Sequence, residues 1–119
     1  RRRLANASKV FTLIREYFPQ AIRLETDLMP LKDQISSFED AVIVITPQGA
    51  HSINAIWSKK LKYYIEISPN QDKSITHYAE MLGAKVELVK SQYHNPNDFS
   101  SSHDCDLNCL DELLKRLRF

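Results

Sequence analysis

Asp40-Ala41-Val42-Ile43-Val44-Ile45-Thr46-Pro47-Gln48-Gly49-Ala50-His51-Ser52-Ile53-Asn54 is the stretch that decides the fold. Residues 41–45 are apolar without polar alternation, as expected of a parallel strand covered on both faces. A glycine turn and a polar, potentially helical start follow. Gly49 lets the backbone approach a ligand closely, and His51 or Ser52 can open a helix. A helix start leaves amide donors free for an anion, so strand, turn and helix in this order make a phosphate-binding loop. One glycine after a buried strand also occurs in α/β domains that bind nothing there, and a purely structural turn is the other reading.

On either side the chain alternates helix and strand, the pattern of a parallel sheet with helical crossovers. Asn6 is placed to cap a helix with Val10, Leu13, Ile14 and Tyr17 on one stripe, which Pro19 stops. Residues 21–24 read as a short strand. Pro30 suits a first helical position, and Leu31, Ile35 and Phe38 give the next helix an apolar face. After the loop, Ile53, Ile56 and Trp57 share a helical face, so Trp57 reads as a packing residue rather than a sugar-stacking platform. Strands are expected at 61–67 and 84–89, separated by a helix marked by Ile75, Tyr78, Ala79 and Leu82 and ended by Gly83. Residues 90–104 hold almost no core formers and predict a mobile surface loop. Leu107, Leu110, Leu113, Leu114 and Leu117 then build a closing amphipathic helix.

The 119 residues predict one compact domain with a real core, not two lobes. Sixteen basic residues against fifteen acidic ones leave a net charge of +1, which argues against nucleic-acid binding, where a one-sided basic excess is needed. Arg1-Arg2-Arg3 and Lys115-Arg116-Leu117-Arg118 read as solvated termini. No run reaches the ~18 apolar residues of a membrane-spanning helix. The two cysteines, Cys105 and Cys109, have only His103, Asp104 and Asp106 around them, too little for a closed four-ligand metal site. One is expected in the core and the other near the surface. Asp104-Cys105-Asp106 matches an Asp-x-Asp metal motif in letters but reads as a helix start, where acids favour the dipole.

If the strands are parallel, the loops at 25–29, 46–52 and 67–72 emerge together at their carboxyl ends, where open α/β sheets bind ligands. Glu66 lies near that rim. A buried, unpaired carboxylate is costly, so Glu66 either faces the ligand edge or finds a partner at a helix N-terminus or in Lys60.

Leu28-Met29-Pro30-Leu31-Lys32-Asp33-Gln34-Ile35-Ser36-Ser37-Phe38-Glu39-Asp40-Ala41 precedes the loop, and Tyr64-Ile65-Glu66-Ile67-Ser68-Pro69 follows it. This order resembles glycosyltransferase family 61, in which a glutamine-containing helix and a buried strand run into a His-Gly-Ala-Gly-Leu-Thr-Asn loop and then a Val-Ile-Glu strand. Arg2-Arg3-Leu4-Ala5-Asn6 is similar to the family's Arg-Arg-x-x-Asn entry, so the resemblance covers residues 2–90. The loop departs from the pattern twice: Gln48 stands for the family's histidine and His51 for its second glycine. Gln48 donates a hydrogen bond but carries no charge. His51 either contacts the diphosphate from a shifted position or only caps the helix.

The resemblance implies a three-layer Rossmann-like parallel sheet forming one lobe of a GT-B type glycosyltransferase, the C-terminal donor-binding lobe of a longer chain. It implies inverting sugar transfer from a nucleotide-sugar, a UDP-sugar, to a glycan or glycoconjugate acceptor, as in polysaccharide biosynthesis. Arg3, Gln48, Gly49, Ala50, His51, Ser52, Asn54 and Glu66 are the donor-binding residues it points to. The catalytic base is expected in the other lobe, because Asp27, Asp33, Asp40 and Asp72 form no pair spaced for acid/base work. No metal or other cofactor is expected. The compartment would be the cytoplasm in a bacterium and the Golgi or ER lumen in a eukaryote. The competing reading is a non-catalytic nucleotide- or sugar-binding module with a Rossmann-like or flavodoxin-like fold.

Overall fold

The computed structural model describes residues 3–25, 28–47, 57–69, 80, 83–98 and 101–117, which fall in two compact units. One comprises Leu24–Ile67 and Gln71–Leu88, the other Arg1–Arg23, Ser68–Asn70 and Val89–Phe119. Among the described residues the helices are α1 (Ala7–Tyr17), α2 (Leu31–Phe38) and α3 (Leu107–Arg116). The strands are β1 (Ile43–Pro47), β2 (Tyr63–Ser68), β3 (Lys85–Tyr93) and β4 (His103–Cys105). The fold is α/β, with the strands in the order β1-β2-β3-β4. No helix among the described residues is long and apolar enough to cross a membrane.

In the first unit, Pro30 supplies the carbonyl that takes the amides of Asp33 and Gln34 at 3.0 Å, which starts α2 at the next residue. The helix ends in a tight turn, Ala41 N–H to Phe38 carbonyl at 3.1 Å, that feeds β1. β1 and β2 then pair in parallel, with Ile43 opposite Tyr63 and Pro47 opposite Ile67. Val44, Leu61, Tyr64 and Ala84 form the core here, with Phe38, Ala41 and Val86 packed against it. Ile65 and Ile67 are buried too, so β2 is covered on both faces. Gly83 stops the chain before β3 as expected: its φ is +84°, and its amide bonds the Glu80 carbonyl at 2.9 Å. The rest of that expected helix, and the one expected from Ile53 to Ile56, lie outside the described residues. Trp57 is described and is 38% exposed, so it is not part of the buried core.

In the second unit, α1 packs on α3 and β4. Val10 of α1 and Leu110, Leu113 and Leu114 of α3 are buried, as their helical spacing predicts. Asp106 is the N-cap of α3, its carboxylate accepting the Cys109 amide at 3.0 Å, which bears out the reading of Asp104-Cys105-Asp106 as a helix start. Cys105 is buried and Cys109 half-buried, both as free thiols. Burial pushes the Cys105 thiol up to about 12.

Four expectations are corrected. The sheet is mixed rather than parallel throughout, because β3 and β4 pair antiparallel with Tyr93 opposite His103 and Ser91 opposite Cys105. β1 stands at the edge of the described strand order, not at its centre. An unbroken apolar run reports cover on a strand's faces and says nothing of neighbours along its edges. Residues 21–24 form no strand, and Ile22 is 73% exposed. Of residues 90–104, expected as a mobile surface loop, the described ones do not form such a loop: 90–93 and 103–104 pair as β3 and β4, His94 N–H bonds the Ser102 carbonyl at 2.8 Å, and the Asn95 carboxamide accepts the Asn97 amide at 3.1 Å.

Nothing lies within 4 Å of a Cβ built on Gly83, so only its positive φ resists a side chain. Gly83→Ala is therefore expected to cost about 1 kcal/mol, and Gly83→Asn less, in denaturant unfolding. A loss of several kcal/mol would mean a packing clash instead.

Candidate functional site

The carboxyl end of the parallel pair β1 and β2 is where the sequence places its binding loop. Thr46 and Glu66 are register partners there, and Pro47 and Ile67 lie one step further on. The geometry of this edge is set at the opposite end of the strands. The Val42 carbonyl takes two amides, Lys62 at 2.8 Å and Tyr63 at 3.2 Å, which fixes the parallel register. Buried Ser58 donates its hydroxyl to the Ala41 carbonyl at 2.5 Å and accepts the Lys60 amide at 3.2 Å. The Lys59 amide bonds the Glu39 carbonyl at 3.1 Å. Ser58 thus lies beside the start of β1, at the end opposite Pro47. Exposed ion pairs, Lys59 with Glu39 and Lys60 with Asp40, both 3.4 Å, add little to this frame.

Glu66 has no accessible surface. Its Oε1 accepts the hydroxyl of Tyr64 at 3.2 Å, two residues back on the same face of β2. A desolvated carboxylate is tolerable only with such donors. The partner weighed for Glu66, Lys60, sits instead on Asp40. Sequence reasoning missed Tyr64 as the donor, although residues two apart on a strand share a face.

A second arrangement lies in the other unit. Residues 3–6 run along β4: Leu4 bridges His103 in parallel, the His103 amide donates to the Arg3 carbonyl at 2.8 Å, and the Ala5 amide donates to the His103 carbonyl at 2.8 Å. Asn6 completes it, its side-chain amide donating to the Cys105 carbonyl at 3.0 Å and its carbonyl oxygen accepting the Cys105 amide at 2.9 Å. Asn6 does stand at the N-cap of α1 but makes no side-chain cap bond. His103 is buried, with Nδ1 2.6 Å from the Ser91 hydroxyl and its ring edge-on to Tyr93 at 6.3 Å.

The entry segment, α1, α2, β1 and the start of β2 are also what comparison with known proteins picks out: the family model Glycosyltransferase 61 matches residues 1–65. The chain belongs to the glycosyltransferase 61 family. No curated protein and no solved structure matches it. The match takes in the entry motif and the loop, and stops one residue short of Glu66.

Of the glycosyltransferase's donor-binding candidates, Gln48, Gly49, Ala50, His51, Ser52 and Asn54 lie outside the described residues. Arg3 and Glu66 are described. Arg3 is exposed, with its carbonyl held by β4, and belongs to the second unit. Glu66 is enclosed in the first. Among the acids considered for proton transfer, Asp33 is exposed in the first turn of α2 and Asp40 pairs with Lys60. Asp27 and Asp72 lie outside the described residues. Asp111 forms a further network, accepting the hydroxyl of Tyr17 at 2.5 Å and an ion pair from Lys115 at 3.2 Å. The Tyr17 hydrogen bond holds the Asp111 carboxyl below its ordinary range and the Tyr17 phenol above its own.

The Tyr64–Glu66 bond makes a quantitative expectation. Tyr64→Phe removes the hydroxyl that Glu66 Oε1 accepts inside the core and should cost about 1–3 kcal/mol. In a chain already carrying Glu66→Leu the same change should cost less, since the acceptor of the Tyr64 hydroxyl is then already gone. Denaturant unfolding of the four chains measures the coupling, and strictly additive losses would contradict a direct bond.

Proposed function

We propose that this glycosyltransferase chain is the donor-binding, C-terminal lobe of a GT-B type enzyme that takes a UDP-sugar and transfers the sugar with inversion to a glycan or glycoconjugate acceptor. The single observation that carries the proposal is the family match over residues 1–65, which spans the entry motif, β1 and the glycine loop. The parallel pairing of β1 with β2 supports it, because the loop then leaves from the carboxyl end of a parallel strand. Amides of the loop from Gly49 through Asn54, with the side chains of Gln48, His51 and Ser52, hold the diphosphate. Glu66, enclosed behind Tyr64, lies beneath this edge and does not contact the donor itself.

Inversion is a single displacement, so it needs a base on the acceptor hydroxyl and charge stabilisation on the departing diphosphate. This lobe supplies the second, through amide donors that do not have to reorganise as charge develops. The base comes from the partner lobe. Gln48 in place of the family's loop histidine favours a second reading, a binding module without turnover, because a neutral amide gives weaker stabilisation to a leaving group than an imidazolium.

Calorimetric titration of the full chain with uridine diphosphate tests the site. Gly49→Val should weaken binding at least about tenfold by blocking backbone approach, and unchanged affinity would remove the site. Gln48→His should strengthen binding below pH ~6.5, where the imidazole is charged, and do little above it. Uridine diphosphate binding without sugar transfer by the protein with both lobes present, and transfer gained there on Gln48→His, would decide for the binding module.

A further inference from the structure

We propose that Asn6 is an acceptor site for N-linked glycosylation that folding closes, so that a glycan on Asn6 and the docking of residues 3–6 along β4 exclude one another. Asn6-Ala7-Ser8 is an Asn-x-Ser acceptor sequence, and no other asparagine of the chain has a serine or threonine two residues on. Such an acceptor belongs on a surface loop. Here Ala7 and Ser8 are wound into the start of α1, Asn6 is half-buried, and the Ser8 carbonyl accepts the Thr12 hydroxyl at 2.9 Å.

The decisive contact is at the nitrogen that a glycan takes. Nδ2 of Asn6 donates to the Cys105 carbonyl at 3.0 Å, while Oδ1 accepts the amide of that same residue at 2.9 Å. A planar carboxamide reaches both groups of one residue only along the edge that carries its oxygen and the N–H on the oxygen's side. Glycosylation turns this primary amide into a secondary one. A secondary amide prefers the trans form, which puts the sugar on the oxygen's side of the nitrogen and leaves the remaining proton on the other. The sugar therefore stands where the Cys105 carbonyl now is.

In the transfer itself, Nδ2 attacks the anomeric carbon of an oligosaccharide carried on a lipid diphosphate. The bond from that carbon to the diphosphate oxygen breaks, the lipid diphosphate leaves with the electron pair, and one Nδ2 proton passes to a base of the transferase. A nitrogen held against Cys105 gives such a donor no approach. The chain is thus modified only before residues 3–6 dock. Once modified, it keeps them off β4, where Leu4 otherwise bridges His103 and both the Arg3 carbonyl and the Ala5 amide bond His103 at 2.8 Å.

The test is glycosylation of the full chain by an oligosaccharyltransferase with a lipid-diphosphate oligosaccharide, read by intact mass. A peptide of residues 1–12 is the unfolded reference; it should be modified, and Ser8→Ala should abolish its reaction. The folded chain should react at Asn6 at least about tenfold more slowly than the peptide, because only a locally opened form is competent. Phe99→Thr places a second acceptor sequence at Asn97, which is exposed, and that site should be modified in the folded chain while Asn6 is not. Chain glycosylated at Asn6 during its synthesis in microsomes should exchange the Cys105 amide at least about tenfold faster than unmodified chain. Leu113 and Leu114, buried in α3, should stay protected in it, which separates loss of the docked segment from loss of the fold. A peptide that is not modified, a folded chain modified at Asn6 as fast as the peptide, or a glycosylated chain whose Cys105 amide exchanges as slowly as the unmodified one would each overturn the inference.

Discussion

The constraint on which the first unit depends is the pair of hydrogen bonds that the Val42 carbonyl accepts from Lys62 and Tyr63. They set the parallel register between β1 and β2, and every alignment further along follows, ending with Thr46 beside Glu66. A register slip of one residue would move each side chain of β2 to the opposite face. Tyr64 and Glu66 would then leave their buried face, and the core of Val44, Leu61 and Ala84 would lose the tyrosine packed within it. Ser58 guards against such a slip from outside the ladder, since its buried hydroxyl bridges the Ala41 carbonyl and the Lys60 amide.

The second unit is held by a different device, a side chain in place of a ladder. β4 is only three residues long, and its outer edge is covered by residues 3–6 and by the Asn6 amide. A short strand left open there would be an unpaired edge, and the N-terminal segment removes it. The two ends of the sequence are thereby joined within this unit, with α1 and α3 packed together as a consequence.

Features with strong local physics were legible in the sequence. The apolar periodicity of α1 and α3, Pro30 at the head of α2, Asp106 at the head of α3 and Gly83 with its positive φ each follow from one or two residues and their immediate neighbours. What the sequence did not disclose depends on contacts far along the chain. β4 reads as His-Asp-Cys, with no strand periodicity, and it forms because Tyr93 and Ser91 lie opposite it and residues 3–6 lie along it. Asn6 reads as a helix cap because that is its local option, whereas its partner is 99 residues away. The edge position of β1 is likewise a property of its neighbours and not of its composition. As for the site, the family was legible from residue order, and the enclosure of Glu66 behind Tyr64 was not, because it takes the whole core to bury that side chain.

The central claim is that the carboxyl end of the β1–β2 pair is a nucleotide site. Backbone amide NMR of the isotopically labelled chain, titrated with uridine diphosphate, tests it most directly. The account predicts shifts concentrated at residues 46–54 and 65–67, with Lys62 and Lys85 at the opposite end of the strands unmoved. Shifts concentrated around Lys62 and Lys85, or none anywhere at millimolar nucleotide, would contradict it.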